Sequence, residues 1–465
     1  MEPHHQPNLE FEVVSRHQIS NGSFAPPEAS TLNDHRQFDL FDPLSQAAPT
    51  SGLDATSGTF AANHKLPVHR WFKYSAGFSA DWVHRVLLDH PQARNVLDPF
   101  VGSGTVLIEA SKLGREAIGY ESHPFMVKIA EAKNLWRTDA AAFNTLAERI
   151  ARNAADAFDT AKPLSSPLLT RCYTVDALKE ISALRAAMDN THGEGEDAWK
   201  LCWLAFVSIL REASHVGTAQ WQYLLPGRSK AKVETPIRAF ISKSILIAAD
   251  LARMRHFAAM PKARVAEVDA RVGAAEVEGW ADLVVTSPPY ANNYDYADAA
   301  RLEMTVLGEI ATWGDLQDHV RTNLVRACTQ HVAKQVKELE TALISPLLLP
   351  IEDDLRAVVS ELDAVRMTKG GKKPYHLMIA FYMLDMANVI VSLRRALRPG
   401  GRMCFVVGDS APYGVHIPID NWLGRLAVEA GFTSFSFEKL RDRNVKWKNR
   451  KHRVPLHEGR LWIEA

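Results

Sequence analysis

The chain has 465 residues, 46% apolar and 23% charged, the balance of a globular enzyme with length for about three units at ~150 residues each. Its 54 basic side chains cancel 54 acidic ones. That excludes a uniformly basic nucleic-acid binder and an acidic tail protein, so any nucleic-acid surface must be a local patch.

Residues 1–65 are rich in Ser, Pro, Asn, Asp, His and Gln and read as a flexible extension, with one apolar knot, Phe38 to Leu44, expected to turn back onto the protein's own surface. Within 66–140, Asn95–Asp98 reads as a buried strand, Val101–Thr105 as a glycine-rich turn, and Val106–Leu113 as a helix closed by Gly114. A second strand follows at Glu116–Glu121, completing a strand–turn–helix–strand unit. Residues 141–262 have helical periodicity, as in Ala177–Arg185 and Lys200–Leu210, and predict a helical insertion. Strands return within 263–300, at Arg264–Val268 and Ala281–Thr286. A second helical insertion spans 301–375 and carries a basic loop, Arg366–Lys373. The remainder, 376–465, predicts the helix Leu377–Leu397, a turn at Arg398–Gly401, and strands at Met403–Val407, Thr433–Phe437 and Arg460–Glu464. The fold class is therefore α/β: a doubly wound, Rossmann-like sheet with two helical insertions.

The turn Asp98-Pro99-Phe100-Val101-Gly102-Ser103-Gly104-Thr105 leaves a strand and opens a helix, the context of a nucleotide-binding turn. Gly102 and Gly104 let the backbone fold tightly and approach a ligand. A third glycine would fall at Leu107, so the pyrophosphate cradle of a dinucleotide site is incomplete. Asp98 would repel phosphates but suits a ligand bearing an ammonium and no phosphate, which fits S-adenosylmethionine. Glu121, 17 residues beyond Gly104, can accept both ribose hydroxyls.

Thr286-Ser287-Pro288-Pro289-Tyr290 ends a strand with two prolines, which remove two backbone donors and stiffen the exit. A row of acceptors remains, the Ser287 hydroxyl and the Pro288 carbonyl, with the Tyr290 ring beside them. Such a row suits gripping an exocyclic amine while a planar base stacks on the ring.

Together the two motifs resemble the amino-group DNA methyltransferases, which methylate cytosine N4 or adenine N6. The resemblance extends to Lys73–Val83, similar to the family's cofactor segment, with Gly77 where lysine is commoner. It also extends to Ala291–Tyr296, Arg301–Glu303, Leu397–Gly401 and Val406–Ser410. It implies an S-adenosylmethionine-dependent methyltransferase sheet, with Tyr74, Ala76, Phe78, the turn residues, Glu121 and Asp269 at the cofactor, the last near its adenine amino group. Ser287, Pro288, Pro289 and Tyr290 become the catalytic loop. Serine at 287 favours cytosine N4, with adenine N6 the alternative. Cytosine C5 chemistry is set aside, because no cysteine follows a proline.

The implied chemistry is direct transfer. Accepting hydrogen bonds from both N–H groups localises the amine lone pair, aligned attack on the sulfonium methyl needs no covalent enzyme intermediate, and the methylated, cationic amine then loses its proton to solvent or to a nearby carboxylate such as Asp269. A stacked base cannot reach the pocket, so it is flipped out of double-stranded DNA onto Tyr290. A neutral DNA enzyme must concentrate its cations. The candidates are Lys369, Lys372 and Lys373 in the basic loop and Arg443, Lys446, Lys448, Arg450 and Lys451 in the run 441–453, with Arg228, Lys230 and Lys232 weaker. Trp199, Trp203, Phe206 and Leu210 read as core.

An RNA or protein-glutamine methyltransferase, usually with Asn in place of Ser287, and a non-catalytic binding partner remain open as rivals. A restriction partner, a phage-defence partner and a solitary regulator are not distinguished, nor is oligomeric state. Cys172, Cys202, Cys328 and Cys404 are far apart without a Cys-x-x-Cys pair, so buried thiols are expected and no metal. No apolar run approaches the ~18 residues of a membrane span, and the N-terminus lacks a leader pattern, so the expected address is cytoplasmic.

Overall fold

The computed structural model of the chain describes residues 60–74, 77–218, 224–443 and 454–465. The expected knot Phe38 to Leu44, and Ala76, Lys446, Lys448, Arg450 and Lys451, lie outside the described residues.

In chain order the first core elements are α1 (Ala80–Leu88), β1 (Asn95–Asp98), α2 (Thr105–Lys112), β2 (Glu116–Glu121) and α3 (Pro124–Lys133). The first insertion comprises α4 (Ala140–Asp156), α5 (Pro167–Cys172), α6 (Val175–Asp189), α7 (Glu196–Ala213), β3 (Val216–Thr218), β4 (Leu224–Ser229) and α8 (Pro236–Met254). The sheet resumes with β5 (Arg264–Glu267) and β6 (Ala281–Thr286). A second helical stretch holds α9 (Arg301–Leu307), α10 (Trp313–His319), α11 (Thr329–Val332), α12 (Leu339–Leu343) and α13 (Glu352–Arg366). The chain closes with α14 (Tyr375–Ala396), β7 (Leu397–Gly408), α15 (Ile419–Glu429), β8 (Ser434–Arg443) and β9 (Leu456–Glu464).

The main sheet has seven strands in the order β5-β2-β1-β6-β7-β9-β8. Pairing is parallel from β5 through β7, and β9 runs antiparallel between β7 and β8. The order reverses between β1 and β6, which makes their carboxyl ends the switch point where ligands bind in open α/β sheets. Strand alternation splits the core into two faces. Val96, Leu283, Val285, Cys404 and Val406 pack with α1 and α2, while Leu97, Val284, Met403, Phe405 and Val407 pack with α14 and α15. Helices on both faces bury every residue of β6, as expected for the centre of a parallel sheet.

The first insertion packs into an apolar cluster that also takes in Ile108 of α2 and Phe125 and Ile129 of α3, and in which Leu201, Leu204, Phe206 and Leu210 of α7 meet Phe143, Ile150 and Phe240. Trp203 and Phe206 are core side chains there, as the sequence suggests. An antiparallel hairpin, β3 with β4, interrupts the expected run of helices. The expected turn at 398–401 takes the form of a break in register: Leu397 faces Ala281 and Arg402 faces Leu283, so four residues loop out of the ladder. One expectation is corrected. Helix α14 is long and apolar enough to cross a membrane. It is instead mostly buried beneath the sheet and the second insertion. Its apolar character follows from being covered on every side by protein.

Candidate active site

The cofactor turn and the proline-rich loop leave neighbouring strands, β1 and β6, at the switch point. Asp98 ends β1 and is fully buried. Its Oδ1 accepts hydrogen bonds from the Thr286 hydroxyl at 2.7 Å and the Phe100 N–H at 3.0 Å. Its Oδ2 is buried with no hydrogen-bond partner. Burial pushes the carboxyl up to about 7, against those two hydrogen bonds. Such a carboxylate lacks a donor or cation on its second oxygen.

Around it the turn is packed from below. Gly102 and Gly104 have φ of +51° and +86°, and a Cβ on Gly102 would stand 3.0 Å from the Tyr74 ring. Gly119 of β2, opposite Asp98 in the ladder, leaves no room for a side chain: a Cβ would lie 2.0 Å from a Val101 methyl. Pro99, Ser103, Gly104 and Thr105 are buried, and Phe100 is half-buried against the α14 side of the sheet. Glu121, at the end of β2, accepts the Gly102 N–H on Oε2 at 2.8 Å and the His123 N–H on Oε1 at 2.9 Å. Burial raises its pKa despite those bonds.

Beyond Thr286 the loop is held by aromatic and charged neighbours. The Ser287 hydroxyl donates to the Val406 carbonyl of β7 at 3.4 Å and is also in hydrogen-bond reach of the Tyr290 hydroxyl, and an oxygen with two lone pairs keeps acceptor capacity beyond that contact. Pro288 is buried, and Pro289 and Tyr290 are half-buried. The Tyr290 N–H donates to the Tyr296 hydroxyl at 3.1 Å, and the Tyr294 and Tyr296 rings meet edge to face at 4.6 Å. Between these tyrosines Asp295 takes two hydrogen bonds from Arg321, at 2.6 and 3.1 Å. Although burial opposes ionisation, His331 and Arg321 hold its carboxyl down at about 2.

Other predicted residues have different surroundings. Asp269 follows β5, and its carboxylate is gripped by the Arg271 guanidinium at 2.6 to 3.0 Å while accepting the Arg271 N–H. Arg271 in turn reaches Asp385, which Arg326 also holds. The Phe78 ring is nearly buried against Trp82, and its carbonyl accepts from Asn63, so it serves as core. Lys372 and Lys373 are exposed, and the Lys373 N–H donates to the Tyr413 hydroxyl, joining the basic loop to the segment after β7. Lys369 is half-buried in the same loop. Lys230 is spent on the Arg211 and Ser214 carbonyls. Arg443 is turned inward, with its guanidinium 5.3 Å from the centre of the Tyr290 ring. All four cysteines are free and buried.

Three features escape a sequence reading. Thr286 looks like a strand residue, yet its hydroxyl couples the two motifs. Tyr294 and Tyr296 are visible as aromatics, but only folding sets them against Tyr290. His123 is buried with neither ring nitrogen hydrogen-bonded, and burial pushes its imidazole down to about 4. A histidine after a strand carries no sequence signal for that.

The chain is similar to known proteins over most of its length. The N6/N4 methyltransferase family model, described as DNA methylase, matches residues 53–132, which include the cofactor turn. The chain is 25% identical to the type II methyltransferase M.AvaI of Nostoc sp. over 80% of its own length and 81% of that protein. It is 23% identical to the type II methyltransferase M.BsoBI of Geobacillus stearothermophilus over 83% of its length and 82% of that protein. No solved structure matches it at comparable significance. These matches support the amino-group DNA methyltransferase family that the two motifs resemble.

Proposed function

We propose that the chain transfers a methyl group from S-adenosylmethionine to the exocyclic amine of a base flipped out of double-stranded DNA, with cytosine N4 as the target. The observation that carries this reading is the Thr286–Asp98 hydrogen bond, which sets the cofactor turn and the amine-gripping loop side by side. The description of the matching family model as DNA methylase supports DNA as the acceptor, and the relatives' names support a methyltransferase.

The residues present fit the cofactor. The unpartnered Oδ2 of Asp98 suits its ammonium, a charge-assisted contact stronger than a neutral one. Glu121 accepts backbone N–H groups on both oxygens and, with the acceptor capacity a carboxylate keeps beyond them, suits the ribose hydroxyls. Tyr74 over Gly102, with Ser103, Gly104 and Thr105 behind it, would wall the site. When bound, S-adenosylmethionine supplies an electrophilic methyl on a sulfonium. The Ser287 hydroxyl and Pro288 carbonyl accept from the two amine N–H groups, and Pro289 keeps the loop rigid. Tyr290 receives the face of the base, with stacking of ~1–3 kcal/mol. Asp269 would have to share its carboxylate with Arg271 to reach the cofactor adenine. Lys369, Lys372 and Lys373 would contact the phosphates.

In the resembling family a serine at this loop position mostly accompanies cytosine N4, which is the support for that base over adenine N6. The test is to incubate the protein with labelled S-adenosylmethionine and unmethylated DNA, then identify the modified nucleoside by mass spectrometry. N4-methylcytosine is expected. N6-methyladenine would keep the mechanism and overturn the base, and no DNA product would overturn the proposal.

A further inference from the structure

Resting on that methyltransferase reading, we propose that Arg443 is a positioning residue for Tyr290 and not a phosphate contact. Its place at the head of the basic run 441–453 suggests a DNA cation, but the side chain is only 22% exposed. The guanidinium lies over the Tyr290 ring, 5.3 Å from its centre, and Nη1 donates to the Asp409 carbonyl at 2.9 Å. Nε stands 3.8 Å from the Glu458 carboxylate. Gly408 makes this path available, since a Cβ there would come 2.7 Å from Nη1.

The anchor is itself fixed. The Asp409 carboxylate is held by His416 at 2.8 Å and by His457 at 3.0 Å. The next residue, Ser410, donates its hydroxyl to the carbonyl of Ala291, immediately after Tyr290. The segment 408–410 therefore grips the loop twice, through the Ala291 backbone and through Arg443 on the ring. A guanidinium over one face restricts the ring, so that in this proposal a base would stack on the opposite face. Arg443 touches neither the cofactor turn nor the Ser287 hydroxyl in its hydrogen bonds, so its effect runs through the tyrosine.

The experiment compares wild type, Arg443→Ala, Arg443→Lys, Tyr290→Ala and the Arg443→Ala/Tyr290→Ala double variant, using unmethylated plasmid DNA at several salt concentrations. Arg443→Ala is expected to lower kcat roughly tenfold with KM for DNA and its salt dependence unchanged, and to cost nothing further in the Tyr290→Ala background. Arg443→Lys, which keeps a cation over the ring, is expected to restore part of kcat. S-adenosylmethionine binding by calorimetry checks that each variant folds, and Arg443→Lys, in the same cycle with Tyr290→Ala, carries the test if Arg443→Ala does not fold. A raised KM with a salt slope shallower by about one phosphate contact and kcat retained would overturn the proposal in favour of a DNA contact. Losses additive with Tyr290→Ala would overturn it as well. A wild type that methylates no DNA would instead overturn the methyltransferase reading itself, and the proposal with it.

Discussion

The Thr286 hydroxyl donates a 2.7 Å hydrogen bond to Oδ1 of Asp98, joining two fully buried residues 188 positions apart in the chain. One bond thus ties the end of the strand that opens the cofactor turn to the end of the strand that opens the amine-gripping loop. Thr286→Val keeps the shape and removes the donor, leaving a buried carboxylate oxygen less satisfied at a cost of about 1–3 kcal/mol. S-adenosylmethionine affinity should fall roughly tenfold, with Thr286→Ser close to wild type, as read by titration calorimetry.

The raised pKa of Asp98 gives a pH signature. Its carboxyl sits at about 7 in the folded protein against 3.8 ordinarily. A raised acid contributes stability that is fully present below 3.8 and lost as pH rises through about 7. Free wild type should therefore gain melting temperature relative to Asp98→Asn as pH falls from about 8 to about 5. Cofactor binding should run the other way, because an ammonium needs the ionised form. Affinity should weaken about tenfold per pH unit well below 7, and Asp98→Asn should bind weakly without that dependence.

Gly119 faces Asp98 in the ladder with the Val101 methyl where its Cβ would go. Gly119→Ala should destabilise by about 1–3 kcal/mol through overpacking and should lift the cofactor turn, weakening cofactor binding. Adding Val101→Ala removes the colliding methyl and should recover most of the melting temperature.

Ser287→Ala removes one of two proposed acceptors for the amine while leaving the turn untouched. Transfer should fall on the order of 10²-fold with the cofactor dissociation constant unchanged, a size typical of one preorganised polar contact to the reacting group. Equal losses in transfer and in cofactor affinity would place Ser287 in a different role.

Lys372 and Lys373 stand exposed on a loop that Tyr413 ties to the segment after β7. Replacing both with alanine should weaken DNA binding uniformly across sequences. The slope of log affinity against log salt should become shallower by roughly two. Fluorescence anisotropy on a short duplex at several salt concentrations measures it.

What the amino-acid sequence determined by itself is the part of this protein written in contiguous residues. The strands Asn95–Asp98, Glu116–Glu121 and Ala281–Thr286 fall where their apolar runs place them, because a central parallel strand must be apolar on both faces. The turn and the proline pair are equally local, since glycine and proline set backbone geometry whatever surrounds them. Tertiary structure decided which partner each side chain took. Arg443 belongs to a basic run, but Gly408 and Asp409 draw it onto Tyr290. Asp269 follows a strand as expected, but Arg271 holds its carboxylate. Phe78 lies in the expected cofactor segment, but Trp82 turns its ring into the core. Helix α14 has the composition of a membrane span and becomes the floor of the sheet because two layers cover it. Which charge or ring partner a side chain takes leaves no periodicity in the chain, whether that partner is two or 153 positions away, so only the folded packing assigns it.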